Sequence, residues 1–194
     1  YGTNSSDEES VGPKVAGFVI RDLSPITSNW RSTDSLNDYL QKHEIPGIEG
    51  VDSRAITKRL RTAGSLKACL STEGISDQEA IKKAQESKSI VGQDYVKDVT
   101  CSESFIFDVN GEESIPFTVN GTNLKQPKTP EETHRLVAFD FGAKKAIYRN
   151  LRRHGFEVIV VPATASADEV KSHSPDAMFL SNGPGDPSAL EYAH

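Results

Sequence analysis

The chain holds 194 residues with 22 Lys and Arg against 28 Asp and Glu, a formal charge of −6, and is 36% hydrophobic and 26% charged. At about 100–200 residues per domain this is one large domain or two small ones, with enough chain to bury a core. The acidic balance argues against a general nucleic-acid or anionic-membrane binder, whose affinity rests on Lys and Arg neutralising phosphate charge, and no apolar run approaches the ~20 residues of a membrane span. No basic segment followed by an apolar stretch marks a secretory signal at the N-terminus. Two cysteines, Cys69 and Cys101, are too few for a disulfide framework and point to a reducing, cytoplasmic setting. The only methionine is Met178, and Leu190-Glu191-Tyr192-Ala193-His194 ends the chain with no stop signal, so a piece of a longer protein is expected.

In chain order, Ala16-Gly17-Phe18-Val19-Ile20 predicts a strand. Leu36, Tyr39, Leu40 and His43 recur at helical spacing behind a cap at Thr33 or Asp34. A second helix is predicted from Asp52, with Ala55, Ile56, Arg59 and Leu60 in register and Gly64 at its end. Residues 66–70 read as another strand and residues 77–87 as a third helix, an α+β mixture. Residues 108–134 hold two Asn-Gly pairs, Asn110-Gly111 and Asn120-Gly121, then Pro127 and Pro130, which reads as a hairpin turn and a linker. Between the pairs, Ile115-Pro116-Phe117-Thr118-Val119 is compatible with an edge strand.

Beyond that linker the periodicities sharpen. Leu136-Val137-Ala138-Phe139 is the continuous apolar run of a strand buried on both faces. Ala143, Ile147 and Leu151 mark a helix stopped at Gly155, and residues 156–161 a second strand closed by Pro162. Ser166-Ala167-Asp168-Glu169 reads as a capping box opening a short helix, and Ala177-Met178-Phe179-Leu180 as a third strand. Such β-α-β-α-β runs wind right-handed into a parallel sheet with ligand sites beyond the carboxyl ends of the strands.

The third strand runs into Ser181-Asn182-Gly183-Pro184-Gly185-Asp186-Pro187. Alternating glycine and proline give sharp, rigid turns and leave the N–H groups of Gly183 and Gly185 unscreened by any Cβ. From spacing alone two readings stay open. One is a strand-to-helix turn rich in breakers; the other is a fixed donor for an oxyanion or a polar substrate, where losing one N–H typically costs roughly 3–4 kcal/mol of barrier.

The string from Phe179 through Pro187 resembles the signature of class I glutamine amidotransferase domains, and specifically that of the small chains of carbamoyl-phosphate synthetases. Gly2, Asn4 and Asp7-Glu8-Glu9-Ser10 resemble that family's N-terminal loop, and Gly17-Phe18-Val19-Ile20-Arg21-Asp22 its following strand. Pro46-Gly47-Ile48 with Asp52-Ser53-Arg54-Ala55-Ile56-Thr57, and Val137-Ala138-Phe139-Asp140-Phe141-Gly142-Ala143-Lys144, resemble two more of its segments. The fold implied is α/β: an α+β N-terminal domain over residues 1–125, incomplete at its start, a linker over 126–134, and the first half of a flavodoxin-like, parallel-sheet amidotransferase domain over 135–194.

The resemblance also implies a chemistry. The family's small chain hydrolyses L-glutamine through a Cys-His-Glu triad and passes ammonia to a large synthetase subunit, which uses ATP, Mg and bicarbonate to make carbamoyl phosphate for arginine and pyrimidine synthesis. Gly183 and Gly185 are then expected to line the glutamine site, Gly183 facing the oxyanion. The triad positions are expected beyond His194, and a family serine that contacts glutamine before Tyr1, so these 194 residues alone are expected to be inactive. No cofactor and no metal are expected in this chain, and neither nucleic acid nor membrane among its partners. Residues 1–60 are expected to supply part of the surface that meets the large subunit.

Other features have plain readings. His43, His134, His154, His173 and His194 show no ligand spacing. Lys144, Lys145, Arg149, Arg152 and Arg153 put five cations on one helix, expected as a solvated face. Asn4-Ser5-Ser6 and Asn120-Gly121-Thr122 match the glycosylation pattern by chance, and Asp7-Glu8-Glu9 is expected as an exposed acidic loop. A flavodoxin-like binding module explains the parallel sheet but not the preceding domain. The glutaminase of a different amidotransferase explains residues 181–187 but carries no such domain.

Overall fold

The computed structural model describes residues 1–114, 131–132 and 134–193. The chain forms two compact units, Tyr1–Ile90 and Val91–His194.

In the first unit two short strands, β1 (Phe18–Val19) and β2 (Gly47–Ile48), pair in parallel. Helix α1 (Leu36–Lys42) is capped by Ser35, whose hydroxyl accepts from the amide of Asp38 at 3.1 Å. The cap expected at Thr33 or Asp34 falls later because those two residues are engaged with Thr3. The amide of Thr3 donates to the Asp34 carbonyl at 2.9 Å and that of Thr33 to the Thr3 carbonyl at 2.8 Å. Helix α2 (Ser53–Ala63) starts as expected on Asp52, which accepts from the amide of Ala55 at 2.9 Å, and stops on Gly64 at φ +77°. Helix α3 (Asp77–Glu86) is capped by Ser76. Residues 66–70, expected as a strand, have no regular structure; an apolar run becomes a strand only where another strand meets its backbone groups. No residue of this unit is buried, and an open groove of about 530 Å³ with a mixed lining runs past Phe18, Leu36, Asn37, Leu40, Ile48 and Glu49.

The second unit is built on a four-stranded sheet in the order β3-β5-β4-β6, formed by β3 (Phe105–Ile106), β4 (His134–Asp140), β5 (Phe156–Pro162) and β6 (Ala177–Leu180). Strand β4 is central and pairs in parallel with both neighbours, Val137 facing Ile159 on one side and Met178 on the other. Helix α4 (Lys145–Arg153) returns the chain to β5, and α5 (Ala167–Ser172) returns it across β4 to β6. Right-handed crossovers in opposite directions put the helices on opposite faces. Accordingly Tyr148 of α4 packs with Leu136, Ala138, Val158 and Val160, whereas Val170 of α5 packs with Val137, Ile159 and Val161 on the other side. Full burial stabilises each such aliphatic side chain by roughly 1.5–3 kcal/mol, which explains the unbroken apolar runs in β4 and β5.

Three expectations are revised here. Residues 91–114, expected in the first domain, pack on this unit: β3 pairs antiparallel with β5, Phe105 opposite Val160, and Val96 and Phe107 are buried. A two-residue strand has no periodicity to read. Ser166 caps α5 by accepting from the amide of Glu169, but the Glu169 carboxylate accepts from the Ser104 hydroxyl at 2.7 Å instead of completing the capping box. The cations of α4 do not all face solvent. Arg152 lies one turn after Tyr148 on the same buried stripe, with only 4% of its surface exposed. Its Nη2 donates to the Asp108 carbonyl at 2.8 Å and its guanidinium pairs with Glu132, while Arg153 Nε donates to the Ser114 carbonyl at 2.6 Å. The Asn110-Gly111 turn is present, with the Gly111 amide bonded to the Asp108 carbonyl at 2.9 Å. The expected strand at 115–119, Asn120-Gly121 and most of the expected linker lie outside the described residues.

Candidate functional site

With β4 as the first strand of the parallel series, the order β5-β4-β6 is 2-1-3, and the chain changes winding direction between β4 and β6. Loops leaving two strands on either side of such a switch point diverge and open a crevice at the carboxyl edge, where doubly wound sheets bind ligands. The loops here are 140–144 and 181–187.

Asp140, the last residue of β4, organises the first loop. Its Oδ1 accepts from the amides of Gly142 at 3.0 Å and Ala143 at 3.1 Å and from the Tyr148 hydroxyl at 3.1 Å; its Oδ2 accepts from the amide of Cys101 at 2.9 Å. Four donors on one carboxylate fix the turn into α4, which has no side-chain cap of its own. Gly142 sits at φ +102°, and a Cβ there would stand 2.7 Å from Cγ2 of Val99, so only glycine fits without movement.

Strand β6 delivers the second loop. Its last ladder bond runs from the Ser181 amide to the Phe139 carbonyl at 3.3 Å. The Ser181 hydroxyl accepts from the amide of Phe141 at 2.9 Å and donates to the Asn182 carbonyl at 2.9 Å. Gly183 then lies over Phe141 so closely that a Cβ would collide with the Phe141 carbonyl. Gly185 turns at φ +86° beside Tyr95 and Gln93. Asp186 ends the turn by accepting from the Ser188 amide at 3.0 Å, and that hydrogen bond holds its carboxyl below the usual range. Gly183 and Gly185 are both exposed, and neither amide makes a hydrogen bond among the described residues. Two rigidly held, unengaged N–H groups at the carboxyl edge of a parallel sheet are equipped to meet a developing negative charge.

The remaining candidates do not gather here. Among the described residues no group of three His, Cys, Asp or Glu side chains could hold a metal ion, and none of their helices is long and apolar enough to cross a membrane. Cys69 belongs to the first unit. Cys101 is near Asp140, but burial and then that carboxylate push its thiol up to about 11, which leaves little thiolate for nucleophilic attack at neutral pH. The acidic loop is not free: Asp7 pairs with Arg31 at 2.8 Å. Sequence reasoning named the loop glycines but missed the groups that shape the two loops, the Ser181 hydroxyl and Phe141 backbone at 181–187 and the Asp140 carboxylate at 140–144. Their only signal was a serine directly after one strand and an aspartate at the end of another, with nothing to say that these strands are neighbours.

Two family models match. One, described as carbamoyl-phosphate synthase small chain, CPSase domain, covers residues 1–70; the other, glutamine amidotransferase class-I, covers residues 137–194. The chain is 41% identical over 193 residues to the carbamoyl phosphate synthase small chain of Syntrophotalea carbinolica, matching 100% of this chain and 50% of that protein. It is 44% identical over 190 residues to the small chain of Synechocystis sp., with 98% and 48% covered. Against the chloroplastic small chain of Oryza sativa subsp. japonica it is 44% identical over 193 residues, with 99% and 41% covered. The chain thus spans about half the length of the curated relatives it matches. Both family models follow one another in the same chain, and relatives of one name run along all of it: the chain belongs to the carbamoyl phosphate synthase small-chain family.

Proposed function

We propose that the chain serves in the glutaminase subunit of a glutamine-hydrolysing carbamoyl phosphate synthase, and that its 181–187 loop forms one wall of the L-glutamine site. The observation that carries this reading is the pair of exposed, unengaged amides at Gly183 and Gly185 beside the switch point. Attack on the glutamine carboxamide makes its carbon tetrahedral and its oxygen anionic. A fixed Gly183 N–H gains most in that transition state and little in the ground state, which is what lowers a barrier. Gly185 shapes the adjoining wall. The Cys-His-Glu triad belongs, in this proposal, to the part of the relatives' length that this chain does not span.

The ammonia released passes to a large synthetase subunit, which uses ATP, Mg and bicarbonate to form carbamoyl phosphate for arginine and pyrimidine synthesis. Because ammonia protonates in bulk water and loses its nucleophilicity, the two sites need a sealed path and hence a stable interface. The first unit supplies part of that surface: it closes no core of its own and exposes Val11, Ile26 and Trp30 by 71–85%. Two free, half-buried cysteines fit a reducing, cytoplasmic setting.

The test uses the full-length chain with its large subunit. Gly183→Val is expected to abolish glutamine-dependent synthesis and to spare synthesis from free ammonia. Equal loss of both activities would reject the assignment of this loop.

A further inference from the structure

We infer that the Ser181 hydroxyl is a positioning residue that aims the Gly183 N–H at the oxyanion; the inference rests on the glutamine-site reading above. In a regular parallel ladder between β4 and β6, the Ser181 amide bonds to the Phe139 carbonyl and the Phe141 amide bonds in turn to the Ser181 carbonyl. The first of these bonds is present at 3.3 Å. In the second, the Ser181 side-chain oxygen has replaced its own backbone carbonyl, accepting from the Phe141 amide at 2.9 Å. This satisfies the Phe141 donor, which is buried, and lets the backbone leave the sheet at residue 182.

The same hydroxyl then donates its proton to the Asn182 carbonyl at 2.9 Å. That carbonyl shares a peptide plane with the Gly183 N–H, and in a trans peptide the two point in opposite directions; the chain has no cis peptide among its described residues. Holding the carbonyl toward the sheet therefore turns the Gly183 N–H away from it. Gly183 also abuts the Phe141 carbonyl, against which a Cβ would collide. One hydroxyl thus sets both where the loop leaves the sheet and which way its donor faces. A donor a few tenths of an ångström or a few tens of degrees off line loses most of its transition-state advantage while still binding substrate.

The experiment compares Ser181→Ala, Ser181→Thr and Gly183→Val in the full-length chain with its large subunit. Ser181→Ala is expected to lower glutamine-dependent kcat by about tenfold or more and to change KM for glutamine by less than about threefold. Ammonia-dependent synthesis should stay at the wild-type level, the thermal midpoint should fall by only a few degrees because the buried Phe141 amide loses its acceptor, and Ser181→Thr, which keeps a hydroxyl, should recover most of the lost rate. A Ser181→Ala enzyme with wild-type kcat, alongside a dead Gly183→Val enzyme, would overturn the inference and leave the site reading standing. Full glutamine-dependent activity in both would overturn the site reading as well. Equal losses in Ser181→Ala and Ser181→Thr, or a parallel fall in ammonia-dependent synthesis, would reduce Ser181 to a structural role.

Discussion

The hydroxyl of Tyr148, one turn into α4, donates to Oδ1 of Asp140 at 3.1 Å. This bond ties the helix that covers one face of the sheet to the strand end that forms the crevice. Tyr148→Phe removes one of the four donors on that carboxylate and is expected to cost about 1 kcal/mol. Asp140→Ala leaves four donors without their acceptor and is expected to cost about 3 kcal/mol or more, read from urea denaturation midpoints. Burial, and then the Asp140 charge, push the Tyr148 phenol far above its ordinary value of 10.0. A raised folded-state value means that the unfolded chain ionises first, so this contribution is complete below pH 10 and declines as pH rises above it. Tyr148→Phe should show a shallower alkaline loss of stability than wild type.

Thiol labelling tests the surroundings of Cys101. With its thiol raised from 9.0 to about 11, the thiolate at pH 8 is about a hundredfold scarcer than for an ordinary cysteine. Reaction with a disulfide reagent should therefore include a slow phase, absent in Cys101→Ser and faster in Asp140→Asn. A single phase at the rate of an exposed thiol would contradict the described burial. Stability linked to this group is complete below pH 9.0 and is lost as pH rises from there through about 11.

Glycine replacement should separate space from conformation. At Gly185, φ +86° disfavours any side chain, and Gly185→Ala is expected to cost about 1–2 kcal/mol. Gly142→Ala meets both φ +102° and Val99, and should cost more. Gly74 has neither a positive φ nor a neighbour within 4 Å of its Cβ position, so Gly74→Ala is expected to be neutral or to stabilise by up to about 1 kcal/mol. Denaturation midpoints that fail to follow this order would contradict the loop geometry.

Arg152 offers a contrast with the exposed Lys144 at the other end of α4. Arg152→Ala removes a buried hydrogen bond to the Asp108 carbonyl and the pairing with Glu132, and is expected to cost about 2–4 kcal/mol. Arg152→Lys should recover little, because one ammonium cannot reach both partners as a planar fork does. Lys144→Ala should change stability by less than about 0.5 kcal/mol. Calorimetry of the three variants decides; equal effects at positions 144 and 152 would show that Arg152 faces solvent.

The surface proposed for the large subunit is tested by co-purification after Glu8→Lys and Arg54→Glu. Asp7 is left intact because reversing it would break its pair with Arg31 inside the unit. Loss of the complex from a folded double variant is expected, and undiminished complex formation would place the interface elsewhere.

Local chemistry by itself determined the parallel core of the second unit and most helix ends. Continuous apolar runs such as 136–139 and 158–161 suit only strands covered on both faces. Asp52, Ser166 and Gly64 act through backbone groups within a few residues, so their roles are written in the chain. Whatever depends on a partner distant in sequence needed the tertiary structure. Residues 66–70 have strand composition but find no strand to pair with, whereas Phe105-Ile106 pair only because the exposed edge of β5 is there to receive them. Arg152 reads as one surface cation among five, and its burial was decided by the stripe it shares with Tyr148 and by the turn at Asp108. At the site, the two loop glycines were legible as residues free of a Cβ. That the loop carrying them leaves the sheet with these amides exposed and unengaged depends on β4 and β6 lying side by side, which brings Ser181 within 2.9 Å of the Phe141 amide across 40 residues of sequence. Such a pairing stands on sheet order, and sheet order is settled by the winding of the whole unit and not by any local pattern.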